Sequence, residues 1–218
     1  MRLGLHLRLS SAATKRLLNS VAVLQSERKL KRRDPKVMEF LTKNPRFKNP
    51  RVIDIELFQI ISDWYHAAIL ELSFLEEFCA DPDWIAKQIG ISKLDAKLAL
   101  ARLLEAGLLK EIEGRLVKTN DHIELDDPDR TSKARRAKQK QIRMKAVESI
   151  DKDPVEKRYM TTISMAIDPD LLPEARRRID EFNDSLSAFL ESGKRKQVYA
   201  MEIGIFPLQI DSHGKEKK

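Results

Sequence analysis

Two pairs of carboxylates, Asp81 with Asp83 and Asp168 with Asp170, are spaced closely enough to share general acid and base work. Each pair brackets a proline, Pro82 or Pro169, ahead of an apolar periodic run. Helix capping accounts for them better, because a carboxylate accepts free backbone N–H groups and proline has none to lose. The four histidines, His6, His66, His122 and His213, show no metal-ligand spacing with the single Cys79. Seven glycines form no phosphate-cradling loop. Trp64, Tyr65 and His66 could line a ligand pocket, although such a trio more often supplies core aromatics and a polar tip. The expectation is a protein that is not an enzyme and carries no metal or cofactor.

The chemistry left is attraction for polyanions. The net charge is +7, and its distribution says more than its sum. Residues 1–51 carry fourteen Lys or Arg against three acids, and residues 130–145 carry eight against none. The first segment ends in a polybasic cluster, Arg28, Lys29, Lys31, Arg32 and Arg33, which reads either as a solvated helix end or as a phosphate-binding arm. The second holds Arg130, Lys133, Arg135, Arg136, Lys138, Lys140, Arg143 and Lys145. A net acidic body separates and follows them.

Residues 52–120 have the grammar of a winged helix-turn-helix. Asp81 caps a helix opening on Pro82; Ala86 and Gly90 stand as the small residue and turn glycine of a helix-turn-helix; Ser92 and Asp95 form a capping box for a third helix. That helix buries Ala96, Leu100, Leu103 and Leu104 and stops at Gly107. Two short strands flank Glu113-Gly114 as a hairpin, the wing. Lys93, Leu94, Lys97, Leu98 and Ala101 should face outward. Lysines suit phosphates, but leucines cannot read base edges. Residues 81–119 hold seven basic and six acidic side chains, a weak electrostatic footprint for DNA, so Lys93, Lys97, Arg115 and Lys118 rank as secondary contacts.

The elements around this unit follow from pattern. Residues 1–51 read as a basic helical segment and a proline-punctuated connector with a short helix around 37–41. One long helix should run from Ile55 to Phe78. Residues 121–150 give an acidic linker and a basic helix with a thin buried stripe of Ala137, Met144, Val147 and Ile150. Residues 151–210 read as strand (160–167), helix (171–191) and strand (197–207), a right-handed β-α-β unit with parallel strands, and 211–218 as a disordered tail. Two strands are too few to stand alone, which favours a homodimer. The fold class is mainly α with small β elements (α+β). The lone cysteine excludes an internal disulfide and fits a reducing cytosol, where a buried thiol is expected. No apolar run is long enough to span a bilayer, and Arg8, Lys15 and Arg16 interrupt any signal-peptide core, so a cytoplasmic location is expected.

Three stretches, ELFQIISDWYHAAILEL, DPDWIAKQIGIS with ARLLEAGLLK, and MAIDPDLLPEARRRIDEFNDSLSAFLES leading to FPL, resemble a bacterial family of domain-of-unknown-function proteins, multiplied into paralogues in predatory and fibre-degrading bacteria. The likeness covers roughly 50–210 and implies a winged-helix fold, a regulatory role in the cytoplasm and no catalytic residue. Longer members carry a further N-terminal helix-turn-helix, of which LGLHLRLSSAATKRLLNSVAVLQ resembles the final helices. The leading expectation is a dimeric regulator holding DNA by phosphate contacts from the two basic segments. The alternative is a protein-interaction adaptor, with a regulatory protein as partner, in which the winged helix is scaffold.

Overall fold

The structure, a computed structural model, describes residues 51–53, 55–119, 123–125 and 133–209. The N-terminal segment with its polybasic cluster, Arg130 and the tail 211–218 lie outside the described residues. In chain order the elements are β1 (Arg51–Ile53), α1 (Ile55–Ile60), α2 (Trp64–Leu72), α3 (Pro82–Ile89), α4 (Lys93–Glu105), β2 (Leu109–Ile112), β3 (Arg115–Lys118), β4 (Ile123–Leu125), α5 (Lys133–Lys152) and α6 (Leu172–Glu191). The described chain is thus mainly helical with small β elements. β2 and β3 pair antiparallel. β1 and β4 pair parallel, so short strands interrupt both the connector and the acidic linker.

Local chemistry sets α3 and α4. Asp81 accepts the Asp83 N–H at 3.1 Å ahead of Pro82, and Gly90 closes α3 in the left-handed region (φ 69°) with its N–H on the Ala86 carbonyl. Ser92 Oγ accepts the Asp95 N–H at 3.0 Å and donates to the Asp95 carboxylate at 2.6 Å. After α4 the N–H of Gly107 returns to Leu104 and that of Leu108 to Leu103, a Schellman closure that needs the positive φ of 62° at Gly107. α3 packs on α4, and α2 packs on both. Ile69, Ile85, Leu103, Leu108 and Leu109 are almost wholly excluded from water, each contributing about 1.5–3 kcal/mol by burial.

Several expectations are corrected. The single helix over 55–78 is two, because the chain turns extended at Asp63 (φ −64°, ψ 140°) and Ser62 Oγ donates to the Gln59 carbonyl instead of extending α1. On α4 the buried face holds Ala99 rather than Leu104, which is rotated off a stripe centred on Ala96, Leu100 and Leu103. Cys79 is exposed in the loop between α2 and α3, not buried. α5 docks through Ala134, Lys138, Gln141 and Lys145, spaced one face apart, and leaves Met144, Val147 and Ile150 exposed. Long polar side chains with apolar stems form that seam.

The β-α-β unit is corrected as well. Its helix is present as α6, but 159–167 and 197–208 are irregular and belong to no ladder. A parallel pair requires the crossover to bring both strands side by side, and among the described residues neither segment makes a backbone–backbone hydrogen bond.

Candidate nucleic-acid interface

α4 presents Lys93, Leu94, Lys97, Leu98 and Ala101 to solvent, the face anticipated for a reading helix. Its chemistry is mixed. The Lys93 ammonium is paired with Asp83 in the first turn of α3, which holds its pKa above the usual lysine value. Leu94 and Leu98 are 63% and 43% exposed, so two apolar side chains flank the outward Lys97.

The two cations of β3, Arg115 and Lys118, are engaged within the fold. Arg115 Nη2 donates to the Leu75 and Glu76 carbonyls at 2.8 and 3.2 Å, satisfying backbone acceptors past the end of α2. The side chain of Lys118, 4% exposed, donates to Glu71 Oε1 at 2.7 Å and lies 5.4 Å from the Phe74 ring centre. Arg195 stacks on that ring at 4.2 Å. Arg115 and Lys118 thus fasten the hairpin to the end of α2; the Lys118 side chain is closed off, while Arg115 stays exposed.

α5 divides its cations between two faces. On the docked face the Lys138 ammonium lies 5.6 Å from the Phe58 ring centre, and burial, with Arg135 second, holds its pKa below the usual lysine value. Lys145 sits 4.9 Å over the Trp64 ring and donates to Glu148 at 3.1 Å. Arg135 is half-buried. Outward stand Lys133, Arg136 and Lys140, all exposed, with Arg143 next along the row and paired at 2.6 Å with Glu202. The structure therefore brings Lys133, Arg136 and Lys140 together on one helix face and separates them by role from Lys138 and Lys145.

Trp64, Tyr65 and His66 form a joint. Gln141 bridges to the Asp63 carboxylate and the Trp64 N–H, both at 2.9 Å. Tyr65 Oη donates to Asp63 at 3.0 Å, and burial together with that bond pushes its pKa up to about 12. His66 is 1% exposed, and its Nδ1–H donates to the Asp63 carbonyl at 3.2 Å. Gln141 is the organising residue that the sequence did not flag; a glutamine in a charged helix carries no signal of its tertiary partner. Among the described residues no group of three or more His, Cys, Asp or Glu is placed to hold a metal ion. None of the described helices is long and apolar enough to cross a membrane.

No curated protein and no solved structure matches this chain. A family profile does match, over residues 44–208, and covers most of the sequence and nearly all of the described fold. The chain belongs to the family described as a domain of unknown function, DUF4423.

Proposed function

We propose that the protein is a winged-helix regulator that holds nucleic acid through phosphate contacts. The observation that carries this reading is the outward row of Lys133, Arg136 and Lys140 on α5, a helix whose other face is fixed to α1 and α2. Such a row presents cations at a rigid spacing, so little is lost in ordering them against a phosphate backbone. The succession of α3, turn, α4 and hairpin supports the winged-helix part of the reading. The outward leucines of α4 support contact without base recognition. Together with the cations of the N-terminal cluster, six to eight neutralised phosphates would give a loss of affinity on the order of a thousandfold between 50 and 200 mM salt. Retardation of duplex DNA at those two concentrations tests the reading. Replacing Lys133, Arg136 and Lys140 by glutamine is expected to flatten the salt slope by about three units. Absence of any shift at 50 mM overturns it.

A second reading rests on the exposure of Leu94 and Leu98. Apolar side chains at the centre of a helix face suit a protein partner better than a groove. In that case the module is an adaptor. Leu94→Glu with Leu98→Glu would then abolish a nuclease-resistant association with a protein and leave the fold intact.

A further inference from the structure

We infer that α6 and the segments on either side of it, 159–167 and 197–208, form a homodimer interface, in which each copy completes the helix seam of the other and supplies strand partners to the flanking segments. α6 is an amphipathic helix whose Ala188 is buried but whose apolar stripe is largely uncovered: among the described elements only the short turn Pro169–Leu171 packs broadly on it. Its apolar positions, Leu172, Ala175, Ile179, Phe182, Leu186 and Phe189, alternate three and four residues apart. That 3.5-residue period is the pattern of a helix–helix seam and not of a helix lying on a sheet. Phe182 and Phe189 are nevertheless 53% and 69% exposed.

The flanking segments point the same way. Residues 159–167 and 197–208 join no helix or ladder of their own chain among the described residues, and their apolar side chains, Ile163, Met165, Ile203 and Phe206 among them, are exposed. At roughly 100 Å² for each such side chain, the exposed apolar surface of the unit exceeds the ~800 Å² per partner of a standard specific interface. The occupant is a second copy because the surface suits itself. Residues 159–167 carry no charge, and 197–208 carry only Glu202, already paired with Arg143. Like segments can therefore face each other across a two-fold axis without opposed like charges. The proposal does not depend on nucleic-acid binding.

Light scattering after size-exclusion of the full chain is expected to return about twice 25.2 kDa. Phe182→Glu with Phe189→Glu is expected to raise the dimer Kd at least a hundredfold, giving monomer at micromolar concentration with the circular-dichroism spectrum of a folded helical protein. Amide exchange on the unaltered protein gives a readout free of folding defects: 160–167 and 199–206 should be protected at high concentration and lose protection on dilution below the Kd. A native monomer at 50 μM, a dimer that survives both glutamates, or free-peptide exchange of those amides in the dimer overturns the proposal.

Discussion

The Gln141 side chain ties α5 to the start of α2, at the break in what the periodicity of 55–78 describes as one helix. Its amide donates to Asp63 Oδ1 and its carbonyl accepts the Trp64 N–H, each at 2.9 Å, across a sequence separation of 78 and 77 residues. The N–H that begins α2 would otherwise have no partner at the break, and the carboxylate would lose its closest donor. Gln141→Leu is therefore expected to lower stability by about 1–3 kcal/mol, read as a drop in urea midpoint without a change in slope. The Gln141 hydrogen bond is also the leading cause that holds the Asp63 carboxyl below its ordinary range. Stability linked to that shift is complete above the unfolded carboxylate pKa and is lost as the pH falls through the folded one. The variant should therefore show a shallower loss of stability below about pH 4 than the native chain.

His66 titrates in a separate window. Burial is the first cause lowering its pKa, and Nε2 is closed off from water with no partner. A proton there would add a donor with nothing to accept it. With the folded-state pKa below the unfolded one, the unfolded chain binds more protons, so stability is full above about pH 6.5 and declines below it. His66→Leu is expected to remove that decline. Urea midpoints at pH 7.5 and 5.5 check this: the native value should fall between the two and the variant value should hold.

Lys118 and Lys140 separate structure from phosphate binding within one charge type. Lys118 is closed in against Glu71 and Phe74, and Lys140 stands on the outward face of α5. Lys118→Met leaves Glu71 facing an uncharged group, although that carboxylate keeps partial solvent access. A cost of about 1–2 kcal/mol is expected, below the 3–5 kcal/mol of a fully buried pair. Lys140→Gln should change stability by no more than about 0.5 kcal/mol. In DNA retardation the order reverses: Lys140→Gln lowers the salt slope by about one unit and Lys118→Met leaves it alone.

How much of this was legible in the sequence follows the range of the interactions. Asp81, Gly90, Ser92 and Gly107 act on groups within five residues, and each appears where residue type and spacing placed it. The break at Asp63 depends on Gln141, far along the chain, and the periodicity of 55–78 contains no trace of it. The docked face of α5 was misassigned for a related reason. A search for apolar stripes selects Met144, Val147 and Ile150, while the helix is held by Lys138, Gln141 and Lys145, whose apolar stems and polar tips both find partners. For the candidate interface, composition located the cationic helix, but only packing could divide its cations into bound and outward sets. In the C-terminal unit the helix was legible from its apolar period, whereas the Thr, Ile and Met content of 160–167 suggested a strand that the fold does not form, because strand pairing is a property of what lies alongside.

The hairpin turn carries a strain that a single substitution can release. Leu109 pairs with Lys118 and Ile112 with Arg115, which leaves Glu113 and Gly114 as a two-residue turn with φ of 51° and 76°. Positive φ at both positions matches the twist of a hairpin, and glycine adopts it freely; a glutamate there meets its own Cβ against the backbone. Glu113 is exposed, so its side chain offers no evident burial to offset the cost. Glu113→Asn places a residue that tolerates the left-handed region and is expected to stabilise by about 0.5–1 kcal/mol, seen as a higher urea midpoint. Glu113→Val should destabilise by a similar or larger amount, since a β-branched side chain is the least tolerant of that backbone. If both substitutions left the midpoint unchanged, the turn would not be holding the register of β2 against β3.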